Sequence, residues 1–165
     1  MLKSKLAAAF AASLVMMPLS ASAETMVKDV DVSVDLDAIQ NPRAATYWTS
    51  VDDDLENAIV ARLTGQLAGE DDEGSSISVD LDEVELASTF DSAMGIADSK
   101  LAGEVHVTSD NDNTKFDQYE IVVTFDQAVI FLPEGTDIAV LTTDSAKYYH
   151  AMIDAFADSV VLKLK

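Results

Sequence analysis

The chain has 165 residues, of which 10 are Lys or Arg, 30 are Asp or Glu and none is Cys, so its formal net charge is −20. This length suits one ordinary domain and excludes a multi-domain machine. The apolar content of 48% excludes general disorder. Nucleic acids and anionic membranes are recognised mainly through Lys and Arg, so neither is an expected partner. Without Cys the chain has no disulfide, thiol nucleophile or lipid-modified cysteine.

The first 23 residues have the order of a secretory signal peptide. Lys3 and Lys5 precede an apolar run over 6–19, and Ala, Ser and Ala occupy positions 21–23. The run is shorter than the roughly 20 residues of a membrane-spanning helix. We therefore predict cleavage after Ala23, no membrane insertion after cleavage, and a soluble periplasmic product. The domains are then a signal peptide over 1–23 and a single α+β domain over 24–165.

The mature chain opens with strict alternation, followed by a helical stripe. Over 27–39 Val and Leu alternate with Asp and Ser, which predicts a strand with one wet face. From Ser50 to about Gly69 the apolar positions recur every four residues, which predicts a helix capped by Ser50. The predicted stripe is Val51, Leu55, Ile59, Leu63 and Leu67.

Three further strands are expected before the last helix. The second strand covers 77–86, and its alternation breaks at Asp82 and Glu83, which indicates a bulge. A hairpin follows, with arms over 100–109 and 115 to about 131, joined by an Asp and Asn turn over 110–113. The run over 138–141 is a candidate fifth strand. From Thr143 onwards, the positions of Tyr149, Ile153, Phe156 and Val160 predict a second amphipathic helix.

The predicted fold class is α+β. The order β-α-β-β-β-α gives a two-layer sandwich, with a mixed sheet of four to five strands and both helices packed on one face. The first two strands should be parallel, because a helix connects them.

This order of elements resembles the small periplasmic domains of lipopolysaccharide-assembly and transporter-auxiliary lipoproteins. The resemblance rests on the helix start over 48–55, the strand over 78–82, the hairpin and the closing helix, and it has no diagnostic motif. It implies a binding or assembly role in the cell envelope without catalysis. Those families usually carry a lipobox Cys, which this chain lacks.

The predicted wet face of the sheet is strongly acidic. The candidate metal ligands on this face are Asp29, Asp31, Asp35, Asp80 and Asp82. Glu104, His106, Glu120 and Asp126 should extend the same surface. One interpretation is a hydrated face kept soluble by charge repulsion, and the other is a docking surface for divalent cations or for a basic partner.

Two aromatic residues are candidate partner contacts. Tyr47 and Trp48 stand together just before the first helix, where such a pair either anchors a partner or seals the helix against the core.

The sequence carries no recognised catalytic or nucleotide-binding motif. The two His residues, His106 and His150, fall on predicted solvent-facing positions. We therefore expect a non-catalytic accessory protein without a cofactor, whose partner is an unknown protein or envelope component. A protein that binds divalent cations or is adapted to salt is the alternative, and an uncharacterised hydrolase is third.

Overall fold

The structure is a computed structural model that describes residues 25–34, 48–69, 72–85, 99–109, 112 and 116–164. The predicted signal peptide lies outside the described residues, as do Asp35, Tyr47 and all of the 110–113 turn except Asp112. Among the described residues, no helix has both the length and the apolar character needed to cross a bilayer.

Four strands form one mixed sheet in the order β1-β2-β3-β4. Their bounds are Val27–Val34 for β1, Ser75–Glu85 for β2, Lys100–Ser109 for β3 and Phe116–Thr124 for β4. The β1 strand pairs parallel with β2, and the other two pairs are antiparallel. The predicted parallel pair and hairpin are therefore confirmed.

The alternation of each strand places its apolar side chains on one face. Val30 lies opposite Ile77 and Val32 opposite Val79, and all four side chains are buried. Leu101 and Val105 of β3 and Ile121 and Val123 of β4 continue this inner face. The β2–β3 register shifts between Asp80 and Glu83, as the sequence predicts.

The first helix, α1, covers Val51–Arg62. Val51, Leu55, Ile59 and Leu63 are completely buried, so four of the five predicted stripe residues are confirmed. The prediction that Leu67 belongs to the buried stripe is wrong, because the helix ends at Arg62 and 45% of the Leu67 surface is exposed. Leu67 instead forms an isolated β-bridge with Val27. Ser50 occupies the N-cap position, but its side chain makes no capping hydrogen bond.

The closing helix, α3, covers Ala146–Lys163. The short helix α2, over Phe125–Ala128, precedes it in the chain. It packs on α1 and on the inner face of β4, so both long helices lie on one side of the sheet. Tyr149 Oη donates a 2.6 Å hydrogen bond to Asp54 Oδ2, and Arg62 forms a 2.9 Å ion pair with Asp154. The predicted two-layer α+β sandwich is confirmed.

Two predicted strand segments are helical turns instead. The β4 strand ends at Thr124, because Phe125–Ala128 forms a short helix, α2, that buries Phe125 and Ala128 three positions apart. The Thr124 N–H donates to Gln127 Oε1 at 2.8 Å, which ends the strand and caps the turn. Residues Ile138–Val140 form a 3-10 turn, and Asp137 accepts from the Ala139 N–H. The sheet therefore has four strands in the described part of the chain.

Candidate functional site

The sheet face turned away from the helices is the candidate site, and we name it the outer face. Its centre is a row of three carboxylates, because Asp80 lies opposite Glu104 and Glu104 lies opposite Glu120. Neighbouring strands are about 4.8 Å apart, so adjacent members of this acidic row are close neighbours. Like charges directly opposite one another destabilise a sheet, which leaves the row favourable to an approaching cation.

Glu104, the middle carboxylate of the row, is hydrogen-bonded to other side chains of the outer face. His106 Nε2 lies 3.4 Å from Glu104 Oε2, and Gln118 Nε2 donates to Glu104 Oε1. Ser33 Oγ donates to Asp80 Oδ1 at 3.3 Å. Glu120, on the strand at the edge of the sheet, has no ion pair or hydrogen bond from another described side chain. Glu104 is therefore held in place, whereas Glu120 is open to a partner.

The structure distributes the predicted acidic residues along two strands. Asp29 and Asp31 of β1 and Asp80 and Asp82 of β2 are all exposed. Asp31 lies opposite Ser78, whereas Asp80 lies opposite Ser33, so the two carboxylates are diagonal neighbours. The prediction for Asp126 on this surface is wrong, because the residue lies in α2 after the strand has ended.

The acidic residues do not converge on a metal site in the described part of the chain. Within those ranges, no group of three His, Cys, Asp or Glu side chains is placed to hold a metal ion. Carboxylates spaced along separate strands project in parallel from the sheet instead of surrounding one point. The assignment of Asp29, Asp31, Asp35, Asp80 and Asp82 as ligands stays a prediction, and Asp35 lies outside the described residues.

Two apolar side chains accompany the acidic row. Along β4, Phe116, Gln118, Glu120 and Val122 point outwards in turn, and Phe116 and Val122 are 55% and 44% exposed. The Phe116 ring centroid lies 6.2 Å from that of His106. The outer face therefore combines negative charge with apolar area along an edge strand. The alternation in 116–122 carries this signal, but the sequence reasoning did not single out Phe116 or Val122.

Trp48, the second residue of the aromatic pair before α1, is not an exposed partner contact. The Trp48 side chain is fully buried, and its ring meets that of Tyr149 edge to face with centroids 5.0 Å apart. Trp48 therefore seals the start of α1 against α3. The role of Tyr47 stays a prediction.

A pocket lies at one end of the sheet, mainly on its helix side, and we name it the end pocket. It has a volume of about 670 Å³ and opens between the last turn of α3 and the end of the sheet where β3 finishes. Its lining includes Met26, Val107, Asp117, Tyr119, Lys163 and Leu164. Burial, together with the charge of Asp117, raises the pKa of the Tyr119 phenol to about 12. This hydroxyl therefore stays protonated at neutral pH and acts as a donor.

No protein-family model matches the chain. No curated protein sequence matches it either. Several solved structures have a similar arrangement of elements at low sequence identity. A point variant of PelC from Paraburkholderia phytofirmans, solved as a dodecamer, is 10% identical with a TM-score of 0.44 and covers 86% of either chain.

Two further structures are comparable. A protein of the DUF330 family from Xanthomonas campestris is 14% identical, with a TM-score of 0.46, over 85% of this chain and 84% of that one. A candidate lipoprotein from Caulobacter crescentus CB15 is 12% identical, with a TM-score of 0.33, over 82% of this chain and 86% of that one. The predicted resemblance to lipopolysaccharide-assembly proteins finds no support among these structures. At these values the similarities assign no function to the chain.

Proposed function

We propose that this chain is an exported, non-catalytic binding protein of the cell envelope, and that its outer face docks a basic partner protein. The observation that carries the proposal is the acidic row of Asp80, Glu104 and Glu120 together with the exposed Phe116 and Val122 on the same edge strand. Charge and apolar area combined on one surface are typical of protein interfaces.

The charges of the chain support a basic partner. The formal net charge of −20 attracts basic proteins over a distance of about one Debye length, roughly 8 to 10 Å at physiological salt. Docked Lys or Arg side chains would relieve the repulsion between Glu104 and Glu120, which lie opposite each other. Electrostatic attraction then gives fast association, and the apolar contacts slow dissociation.

The position of the site on an edge strand supports a protein partner. In β4, every second residue points its backbone N–H away from β3. The N–H groups of Gln118 and Thr124 are examples, because they donate to Asp117 Oδ1 and Gln127 Oε1. By the same alternation along the strand, the N–H groups of Glu120 and Val122 also point away from β3. An extended segment of a partner can pair with these groups while its basic side chains meet the acidic row.

The test is quantitative affinity capture from the periplasm of the native host. The bait variant combines Asp80→Asn, Glu104→Gln and Glu120→Gln, which removes the acidic row while keeping the shape of each side chain. The control bait removes three exposed charges elsewhere through Asp53→Asn, Glu134→Gln and Asp137→Asn, where each carboxylate is exposed.

A captured basic protein should be lost from the first variant and kept by the control, and its recovery should fall with added salt. Equal capture by all baits, or an acidic captured protein, would contradict the proposed function.

A further inference from the structure

The end pocket has the size and composition of a small-molecule site. Its volume of about 670 Å³ lies within the roughly 300 to 1,000 Å³ of typical ligand pockets. Apolar walls come from Met26, Val107, Phe116 and Leu164, which belong to four separate parts of the chain. The pocket exists because α3 ends at Lys163, before the helix layer has covered the end of the sheet. It therefore offers apolar surface that the core leaves uncovered.

A donor without a partner belongs to a residue that lines this pocket. Tyr119 faces the helix side of the sheet, and its hydroxyl oxygen is buried with no hydrogen-bond partner in the described part of the chain. An unsatisfied buried polar group of this kind carries a free-energy cost. A ligand that supplies an acceptor oxygen would recover this cost. The pocket thus favours a ligand with a carbonyl or carboxylate oxygen near Tyr119.

A cation is held next to that donor. Lys163 Nζ lies 5.2 Å from the centroid of the Tyr119 ring, over its face. The ring attracts the ammonium, which keeps the charge at the pocket wall. A protonated phenol and an ammonium side by side form a recognition pair for a carboxylate.

The remaining charges of the pocket are negative. Asp117 and Glu73 both line it, and the carbonyl end of α3 adds the partial negative charge of a helix C-terminus. A purely anionic ligand would be repelled by these groups and by the net charge of the chain. A ligand that also carries an ammonium group would be attracted by them.

We propose that the end pocket binds a small zwitterion with a carboxylate, an ammonium group and an apolar side chain, namely a short apolar peptide with free termini. Tyr119 and Lys163 receive its carboxylate, Asp117 and Glu73 receive its ammonium, and the walls formed by Met26, Val107 and Leu164 receive its side chains. Phe116 borders both the end pocket and the outer face, but no residue of the acidic row lines the pocket. Peptide binding and the proposed function can therefore fail or succeed independently.

The experiment is a titration of the exported chain with leucyl-phenylalanine, followed by isothermal calorimetry and by amide chemical shifts. Two blocked probes test the two charges: the N-acetylated dipeptide lacks the ammonium, and the C-terminal amide lacks the carboxylate. We expect saturable binding of the free dipeptide, with shifts at 25–26, 73–75 and 163–164. Each blocked probe should bind about 3- to 10-fold more weakly, which is the size of one typical net hydrogen bond.

Variants assign the contacts to residues. Tyr119→Phe removes only the hydroxyl and should weaken the free dipeptide by about 3- to 10-fold, without weakening the C-terminal amide as much. Lys163→Met should likewise weaken binding of the free dipeptide more than binding of the C-terminal amide. The matched controls are Leu162→Ala, a neighbouring exposed position outside the pocket, and Glu120→Gln in the acidic row, and both should bind like the unaltered chain. Melting temperatures confirm that each variant is folded.

Three outcomes would overturn the proposal. The first is no saturable binding at about 10 mM dipeptide, which is about tenfold above a Kd of about 1 mM. The second is equal affinity for the free and blocked dipeptides, which would mean that charge is not recognised. The third is unchanged binding by folded Tyr119→Phe and Lys163→Met variants.

Discussion

At the residue scale, three of the four tyrosines are bound into the packing between the helices and the sheet. Tyr149 joins α1 and α3 through its hydrogen bond to Asp54, and Tyr148 stacks on Phe125 with ring centroids 5.5 Å apart. Tyr119 closes one wall of the end pocket. Because each phenol is removed from water, its neutral form is favoured in the folded state.

Alkaline pH should therefore unfold the protein. Burial raises the pKa of Tyr119 and of Tyr148 to about 12, and burial with the Asp54 carboxylate also raises the pKa of Tyr149. A phenol of an unfolded chain ionises near about pH 10. This contribution to stability is fully present below pH 10 and is lost as the pH rises towards 12.

Absorbance of tyrosinate and far-ultraviolet circular dichroism should be followed together over this range. We expect most of the tyrosinate to appear along with the loss of secondary structure. Ionisation of three or more tyrosines near pH 10 in a chain that keeps its native dichroism would contradict this account.

Gly103 lies at a position that no side chain can occupy. A Cβ added there would be 2.7 Å from the backbone oxygen of Asp80 and 3.2 Å from Cα of Leu81, next to the β2 bulge. The substitution Gly103→Ala should lower the free energy of unfolding by about 1 to 3 kcal/mol, because backbone atoms must move. Urea unfolding measures this, with Thr108→Ala as an exposed control in β3. A loss within about 0.5 kcal/mol would show that the bulge relaxes freely.

At the element scale, α3 is the main apolar cover of the sheet. Phe156 is completely buried on its inner side, whereas Leu162 is 58% exposed on the same helix. Phe156→Ala should cost about 3 to 5 kcal/mol of unfolding free energy through lost burial and a cavity. The control Leu162→Ala should cost under about 0.5 kcal/mol. Equal small losses in urea unfolding would mean that α3 is not docked as described.

The elements differ in how well the sequence predicts them. The strands of the sheet are predicted because one face is buried, so that Val30, Val32, Ile77 and Val79 must alternate with polar residues. The runs over 125–131 and 138–141 are short and apolar, and such runs do not distinguish strands from helical turns. The local signals of the helix that ends β4 are the spacing of Phe125 and Ala128 and the capping box formed by Thr124 and Gln127.

The candidate site is predicted in part. The acidic side of the strands follows from alternation, which fixes the face of Asp31, Asp80 and Glu120. The alignment of Asp80, Glu104 and Glu120 in one row depends on the register between strands, which the alternation alone does not fix. The end pocket is not visible in the sequence, because Met26, Val107, Tyr119 and Lys163 come from distant parts of the chain.

At the scale of the whole molecule, the predicted export would determine where any partner is met. We predict cleavage after Ala23, because the residues at 21–23 are small and follow the apolar run. Intact-mass measurement of the protein from the periplasm should give a chain that begins at Glu24. A cytoplasmic product that keeps residues 1–23 would contradict both the export and the proposed function in the envelope.

Site-specific photo-crosslinking in the native host tests whether the outer face of the sheet contacts a basic partner, as we propose. A photoreactive residue at Val122 lies on β4 beside Glu120, whereas one at Leu162 lies on α3, and both positions are exposed. We expect a discrete crosslinked product from position 122 alone, and we expect the combined Asp80→Asn, Glu104→Gln and Glu120→Gln changes to remove it. A product formed equally from both positions, or one that survives neutralisation of the acidic row, would contradict the account.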